Sequence, residues 1–256
     1  MKTLVIAYAV ICISLLASCN SSSNKKASDK CCKKEETACC KKEKDTCCSS
    51  DKVAFYPEIE SYINTIVADF DKISEERKET LKQLAAKIAE NPEAANLTFI
   101  CTHNSRRSHM SQLWAQTAAA YYGIENVNCY SGGTEATAFN PRAIKAMRKA
   151  GMHIEQTDEN TNPLYLASYA KTANPIKAFS KKYDDKMNPS TNFIAVMTCS
   201  HADESCPVVL GADDRIAVTY VDPKEADNTP AEESRYDERC QQIATEMFYA
   251  FSQVKS

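Results

Sequence analysis

The stretch that decides the fold runs from Phe99 to Ser108 and reads Phe99-Ile100-Cys101-Thr102-His103-Asn104-Ser105-Arg106-Arg107-Ser108. A cysteine ends a short apolar run, and an arginine and a serine then open a segment with the pattern of a helix. Backbone N–H groups at such a strand-to-helix loop point at one spot, with the positive end of the helix dipole behind them. A cysteine there is favoured as its thiolate, and the planar fork of Arg107 matches two oxygens of a tetrahedral oxyanion. The stretch predicts a nucleophile within an anion-binding loop; the alternative is a small core residue at a strand end.

Strands and helices alternate through the residues that follow this loop. We predict strands at 97–101, 127–131, 193–199 and 216–220, and helices at 107–122, 141–150 and 230–254. Residues 156–189, interrupted by three prolines, are predicted to be irregular. The alternation indicates an α/β fold with a four-stranded parallel sheet and helices on both faces. Ligands bind beyond the carboxyl ends of such strands, where Cys101, Cys199 and Asp222 are expected to converge.

A helical extension, residues 53–92, precedes the domain predicted at 93–256. Its apolar residues recur at three- and four-residue steps, and the pattern predicts two helices broken near residues 71–74. These positions are Ile59, Ile63, Ile66, Phe70 and Ile73, followed by Leu81, Leu84, Ala85 and Ile88.

Residues 1–19 have the pattern of a secretory signal. Lys2 precedes an apolar run that is too short to span a membrane. The run ends in Leu16-Ala17-Ser18-Cys19, which resembles the bacterial lipobox, in which the cysteine becomes lipidated. We therefore expect an exported, membrane-anchored bacterial lipoprotein held by acyl chains on Cys19. The alternative is an ordinary cleaved signal with an incidental cysteine.

Residues 20–52 are rich in Ser, Lys, Glu, Asp and Cys, a composition that predicts a disordered tether. Vicinal cysteine pairs recur there every eight residues, at Cys31-Cys32, Cys39-Cys40 and Cys47-Cys48. Thiolates bind soft ions such as Zn, Cu(I) or trivalent arsenic, so the pairs are candidate metal or metalloid ligands. Disulfides are the competing interpretation, because an exported chain meets an oxidising compartment.

Charge and histidine placement narrow the classes of function. The formal net charge is −3 and the basic residues of the folded part are dispersed, so no nucleic-acid partner is expected. The four histidines lack metal-binding spacing, so we expect neither a catalytic metal nor another cofactor.

Several segments resemble the low-molecular-weight protein tyrosine phosphatases and, more closely, their thioredoxin-coupled arsenate reductase relatives. Cys101 to Ser108 is similar to the family's C-x-G-N-x-x-R-S loop, although His103 stands where the family has glycine and Arg106 where it often has cysteine. The segment 131–134 resembles S-A-G-T, and 140–147 resembles N-P-x-A-I-x-A-M. Asp222-Pro223 resembles the D-P motif. Cys199 to Pro207 resembles the C-x6-C-P segment of the reductase branch.

The resemblance implies a role for each matching residue. Cys101 attacks arsenate or a phosphoryl group, and Asp222 protonates the leaving oxygen. Arg107 and the loop bind the oxyanion, Asn104 fixes the loop, and Ser108 hydrogen-bonds the thiolate. The predicted oxyanion-binding positions are Thr102, His103, Asn104, Ser105, Arg106 and Ser108.

The reductase branch implies a thiol relay. Cys199 attacks the Cys101–arsenic adduct and releases arsenite, and Cys206 resolves the resulting disulfide for a thioredoxin-like donor. Arsenate reduction is thus the leading hypothesis. A phosphatase acting on phosphotyrosine or aryl phosphates, and a lipoprotein that sequesters soft metals or metalloids, are the alternatives. A structural Cys199–Cys206 disulfide and a turn role for Asp222 remain open as well.

Overall fold

A four-stranded parallel sheet organises the protein. The structure is a computed structural model that describes residues 53–206 and 208–254. The sheet has the strand order β2-β1-β6-β7, and every neighbouring pair is parallel. The α/β fold with helices on both faces is therefore confirmed. Its strands are β1 (Ala95–Cys101), β2 (Val127–Gly133), β6 (Phe193–Met197) and β7 (Ala212–Ala217). The helices are α1 (Pro57–Val67), α2 (Glu75–Ala89), α3 (Arg107–Tyr122), α4 (Pro141–Lys149), α5 (Ser200–Ser205) and α6 (Glu232–Ser252).

The alternation of side chains along β1 divides the core into two clusters. Leu97 and Phe99 belong to a large apolar cluster that also contains residues of α1, α2, α3, α4 and α6. Ile100 belongs to a smaller cluster with Met197 and Cys199, which α5 helps to cover. Cys101, the last residue of β1, contacts this smaller cluster as well.

The extension helices share the large cluster with the sheet. The isoleucines of α1 and the leucines of α2 at the predicted positions are fully buried there. The predicted break between these helices is confirmed: a short 3-10 helix spans Phe70–Lys72, and the Ser74 side chain caps α2 by accepting from Arg77 N. None of the helices described between residues 53 and 254 is long and apolar enough to cross a bilayer.

The irregular structure predicted for residues 156–189 is wrong in part. A three-stranded antiparallel sheet begins just before this region and continues into it, with strands β3 (His153–Gln156), β4 (Tyr165–Ser168) and β5 (Ile176–Ala178). Pro163 and Pro175 lie between these strands, where a missing N–H breaks no ladder bond. Strands of three or four residues are too short to display a readable alternation.

Two boundaries near the candidate site also differ from the predictions. The third strand of the parallel sheet ends at Met197, and Cys199 caps the short helix α5 instead of ending a strand. The fourth strand is Ala212–Ala217, earlier than the predicted 216–220. The prediction missed this start because β7 is an edge strand, whose polar residues are partly exposed and give no apolar run. Val218 and Tyr220 still donate backbone hydrogen bonds to Met197 and Thr198, which brings the following segment to the end of the sheet.

Candidate active site

The oxyanion loop, residues 101–108, joins β1 to α3 and turns its carbonyl groups outward. The carbonyl oxygens of Thr102, His103 and Ser105 all accept hydrogen bonds from neighbouring segments; their donors are Glu135 N, Ser180 Oγ and Asn140 N, at 2.8, 3.0 and 2.9 Å. Among the described residues, the backbone N–H groups of 102–106 have no protein acceptor. Such a row of free amides is the arrangement that binds a tetrahedral anion.

Asn104 supplies the conformational turn of the loop. Its φ is +44°, in the left-handed region that asparagine tolerates better than most residues, whereas His103 has no positive φ. The histidine therefore replaces the family's glycine without backbone strain. The Asn104 side chain accepts from Lys181 N at 2.9 Å and donates to Ser108 Oγ at 2.8 Å, which locks both sides of the loop.

Cys101 and Ser108 are paired at the base of the loop. Cys101 Sγ lies 3.1 Å from Ser108 Oγ, and both residues are buried. Because Asn104 already donates to a lone pair of Ser108 Oγ, the serine hydroxyl is free to donate its proton to the sulfur. The hydroxyl is therefore placed to hydrogen-bond the sulfur as it attacks.

A close backbone approach supports the loop from β2. A β-carbon on Gly133 would lie 2.7 Å from Asn104 N, closer than real β-carbons come. A β-carbon on Gly132 would likewise lie only 2.3 Å from Tyr183 Cα. This explains why glycine stands here, where the S-A-G-T motif has alanine. The Ser131–Thr134 segment thus packs directly against the backbone of the loop.

Arg107 is held in position by two acceptors, which bind its two Nη atoms. Its Nη1 donates to Tyr220 O at 2.9 Å, and its Nη2 donates to Asp222 Oδ2 at 2.7 Å. Arg107 Nε is buried and has no partner among the described residues. A buried guanidinium N–H without an acceptor fits an oxyanion in the loop.

Asp222 lines a small cavity at the oxyanion loop. The other residues that line this cavity are Cys101, His103, Ser105, Arg106 and Arg107. It caps the short 3-10 helix Pro223–Ala226 by accepting from Lys224 N at 3.1 Å, so both predicted interpretations, turn residue and site carboxylate, describe it. Arg106 is directed to the rim, where its Nε donates to Tyr236 Oη at 2.9 Å and lies 3.9 Å from Asp222 Oδ1.

A second thiol touches the loop. Cys199 is fully buried at the start of α5, and its Sγ accepts from Ala202 N at 3.3 Å. Thr102 Oγ1, on the residue directly after Cys101, lies 3.5 Å from Cys199 Sγ. The predicted convergence of Cys101, Cys199 and Asp222 beyond the strand ends is therefore observed.

Cys206 lies at the other end of α5 and is partly exposed, with Sγ 3.5 Å from Val208 O. All five cysteines within the described ranges are free thiols, so Cys199 and Cys206 form no structural disulfide here. Cys129 and Cys240 are buried, as the sequence indicated; burial raises the pKa of the Cys240 thiol to about 12 and that of Cys129 further. These two thiols are unsuited to nucleophilic chemistry.

Several residues around the site have no sequence signal that identifies them. Tyr220 contributes a backbone carbonyl, and Lys181 and Ser180 contribute contacts to the loop from a region predicted to be irregular. His201 differs from these three: its Nδ1 lies 3.3 Å from Thr102 Oγ1, and its position within the C-x6-C-P segment is a sequence signal that it lies near the site.

The other predicted cysteine sites lie outside the described residues. They are the lipidation candidate Cys19 and the metal candidates Cys31, Cys32, Cys39, Cys40, Cys47 and Cys48. Within residues 53–206 and 208–254, no group of three His, Cys, Asp or Glu side chains is arranged to hold a metal ion.

Comparison with known proteins finds relatives of this sequence. The sequence model of the family described as low molecular weight phosphotyrosine protein phosphatase matches residues 96–169, which include the oxyanion loop and the 131–134 segment. An arsenate reductase of Halalkalibacterium halodurans is 32% identical over 135 residues, covering 52% of this chain and 78% of that protein. An arsenate reductase of Bacillus licheniformis is 29% identical over 157 residues, covering 61% and 94%. The solution structure of a low molecular weight protein tyrosine phosphatase from Bacillus subtilis is 15% identical with a TM-score of 0.43, covering 62% of this chain and 96% of that one.

Proposed function

Because the chain belongs to the low molecular weight phosphotyrosine protein phosphatase family, we propose that it is an arsenate reductase that uses Cys101 as nucleophile and Cys199 and Cys206 as a disulfide relay. The observation that carries the proposal is the Cys199 thiol, 3.5 Å from Thr102 Oγ1. Hydrolysis of a phosphate ester needs no second thiol beside the first. Reduction of arsenate needs two electrons, which a pair of thiolates supplies.

In the first step, arsenate enters the oxyanion loop and meets the free amides and Arg107. The anion displaces Asp222 from Arg107 Nη2, and the freed carboxyl group carries a proton to the leaving oxygen. The Cys101 thiolate attacks arsenic, a sulfur–arsenic bond forms, and water departs. Amides and a guanidinium already in place stabilise the charge that develops on the oxygens.

In the second step, the Cys199 thiolate attacks Cys101 sulfur. A Cys101–Cys199 disulfide forms, the sulfur–arsenic bond breaks, and its electron pair remains on arsenic, which leaves as arsenite. Pentavalent arsenic is thereby reduced to the trivalent state and two thiolates are oxidised.

The third step requires α5 to unwind. Cys199 and Cys206 flank a helix of six residues, and at about 1.5 Å of rise per residue their Cα atoms stand about 10 Å apart. A disulfide needs Cα atoms within about 7 Å, so Cys206 reaches Cys199 only after the helix opens. Its attack frees the Cys101 thiolate and leaves a Cys199–Cys206 disulfide for a thioredoxin-like dithiol to reduce.

The test uses the reduced full-length protein with arsenate, thioredoxin, thioredoxin reductase and NADPH. We expect arsenite release coupled to NADPH oxidation, lost in Cys199→Ser and in Cys206→Ser. Cys129→Ser is the matched control, since that buried thiol has no role in the relay and its replacement should preserve turnover. Absence of arsenite from the unsubstituted protein would contradict the proposal.

A phosphatase that hydrolyses phosphotyrosine or aryl phosphates is the second candidate. The family match favours it, and so does the set of Cys101, Arg107 and Asp222, which is complete without Cys199. It predicts release of p-nitrophenol from its phosphate ester, abolished by Cys101→Ser and insensitive to Cys206→Ser.

We also propose that the chain is an exported lipoprotein anchored through Cys19, and that its reductant is an exported thioredoxin-like protein. The lipobox-like end of the signal pattern supports the anchor. Labelled palmitate should enter the protein in bacterial cells and should be absent from Cys19→Ser. Equal labelling of the two chains would reject the anchor.

A further inference from the structure

His201 and Thr102 form a hydrogen-bonded path to the second thiol. Thr102 Oγ1 lies 3.5 Å from Cys199 Sγ and 3.3 Å from His201 Nδ1, so one hydroxyl contacts both groups. A hydroxyl has one proton to donate and lone pairs to accept another. Thr102 can therefore accept from the Cys199 S–H while it donates to the imidazole.

We propose that Cys199, Thr102 and His201 form a proton relay in which His201, acting through the Thr102 hydroxyl, removes the proton of Cys199 when that thiol attacks Cys101. The inference deepens the proposed function, because it concerns the step that forms the Cys101–Cys199 disulfide. The Cys199 proton passes to Thr102 Oγ1, and the Thr102 hydroxyl proton passes to His201 Nδ1. The products are a Cys199 thiolate and a His201 imidazolium, and no atom or charge is left over.

The two ends of the proposed relay differ in their exposure to solvent. Cys199 is fully buried, so water cannot take its proton directly, whereas His201 is exposed and can release the proton to solvent. The Ala202 N–H, which donates to Cys199 Sγ at 3.3 Å, then stabilises the thiolate that remains. Thr102 spans the boundary between the buried sulfur and the solvent.

The charged groups on neighbouring elements leave His201 available as a base. On its own helix, Asp203 pairs with Arg215 of β7 at 2.6 Å, and Glu204 is exposed. On the oxyanion loop, His103 faces Glu135 at 3.6 Å. Within the described parts of the chain, the His201 ring makes one hydrogen bond, to Thr102. In the proposed relay, Nδ1 accepts from the Thr102 hydroxyl and the ring proton is on Nε2.

The experiment measures Cys101–Cys199 disulfide formation in single turnovers of the full-length chain. Cys206→Ser is the background, so that the disulfide accumulates, and rapid quenching with peptide mass spectrometry follows it. Arsenate is one oxidant. Hydrogen peroxide is the other, because it converts the Cys101 thiolate to a sulfenic acid, from which the Cys199 thiolate displaces hydroxide.

His201→Asn keeps an acceptor for the Thr102 hydroxyl but cannot hold the proton. We expect it to slow disulfide formation about 10²-fold at neutral pH with either oxidant, and the deficit should shrink as the pH rises. Thr102→Val should give the same defect, and combining the two substitutions should add nothing further. Added imidazole should restore the rate in His201→Ala, a rescue that a merely structural role would not produce.

The controls separate failure of the relay from failure of the proposed function. His153→Asn changes an exposed histidine on β3 and should leave the rate unaltered. A disulfide that forms with peroxide but not with arsenate would reject arsenate reduction and still test the relay. An unchanged rate in His201→Asn with peroxide, or no Cys101–Cys199 disulfide with either oxidant, would overturn the relay.

Discussion

Arg107 and Asp222 are joined at 2.7 Å in the resting site, so an entering oxyanion must replace a carboxylate that already occupies Nη2. The same carboxyl group is proposed to deliver a proton to the leaving oxygen. Asp222 thus opposes substrate binding and assists the chemistry. The two effects act on different kinetic constants and can be separated.

Asp222→Asn should separate them. The neutral amide competes less strongly for Arg107, so we expect inorganic phosphate, measured as a competitive inhibitor, to bind about 10-fold more tightly. The amide carries no transferable proton, so kcat for p-nitrophenyl phosphate should fall about 10²-fold. Asp237→Asn is the matched control, because that carboxylate pairs with Lys149 outside the cavity and should change neither constant much. Weaker phosphate binding in Asp222→Asn would contradict the competition.

Lys181 makes the stability of the fold depend on pH. Burial lowers the pKa of this lysine from its ordinary 10.5 to about 8, with Asp185 acting in the opposite direction. Below pH 8 the lysine is protonated in both states, and the buried charge reduces stability. Between pH 8 and 10.5 the folded state releases the proton while the unfolded state keeps it, so the free energy of unfolding rises with pH in that window.

Lys181→Met should remove this penalty. We expect the free energy of unfolding at neutral pH to increase by up to about 3 kcal/mol, the equivalent of the shift in pKa. The difference from the unsubstituted protein should vanish as the pH approaches 10.5. Urea unfolding at a series of pH values measures both, with the exposed neighbour in Lys182→Met as control. A constant difference across the window would show that the lysine charge is not responsible.

At the residue scale, the local pattern predicted Cys101 and Arg107, and the family resemblance implied roles for Asn104 and Ser108, because all four lie within one eight-residue stretch. The positive φ at Asn104, not at His103, was not readable, since it depends on contacts of the loop with Gly133 and Lys181. The pairing of Asp222 with Arg107 depended on a chain separation of 115 residues.

At the scale of elements, helix α2 supports the site through Arg77. The guanidinium donates to Glu246 of α6 at 2.7 Å and to Thr219 O at 3.1 Å, and it lies over the Tyr220 ring. Tyr220 O in turn accepts from Arg107. The extension is therefore connected to Arg107 through the backbone of one residue, Tyr220.

Glu246→Ala should leave Arg77 without its carboxylate. The Glu246 side chain is only 6% exposed, so we expect the free energy of unfolding to fall by about 3 kcal/mol, as for other ion pairs that lose one buried partner. The double substitution Arg77→Met/Glu246→Met should recover most of that loss, because it leaves no unpaired charge. Urea unfolding of the unsubstituted protein, Arg77→Met, Glu246→Met and the double substitution gives the coupling energy. A double substitution less stable than Glu246→Ala would contradict this account.

The elements predicted well were the long helices α3 and α6 and the apolar, buried strand β1. Those missed were short or polar. Helix α5 has six residues and no apolar period, and the edge strand β7 reads Ala-Asp-Asp-Arg-Ile-Ala. Only the neighbouring β6 makes that segment a strand, and such long-range pairing has no local signature.

At the scale of the whole molecule, the paired cysteines of residues 31–48 are expected to act independently of the site. Replacing all six with serine should leave the arsenate kinetics unchanged when a thioredoxin system supplies electrons. The same replacement should abolish tight binding of Zn, Cu(I) or arsenite, measured by equilibrium dialysis against the unsubstituted chain. Cys101→Ser is the reciprocal control and should leave that binding intact. Slower reduction of arsenate in the serine chain would instead link the pairs to turnover.

If the proposed disulfide relay operates, the exposure of its three cysteines would impose a direction on electron flow. Cys101 is 3% exposed and Cys199 not at all, whereas Cys206 reaches the surface. In the proposed relay, a protein dithiol or disulfide could therefore contact Cys206 alone of these three sulfurs, whereas small oxidants such as arsenate or peroxide reach Cys101 through the cavity that it lines. Such an enzyme would accept electrons from its protein reductant at Cys206. Disulfides of other proteins would not contact Cys101 or Cys199 directly, even where such disulfides are abundant.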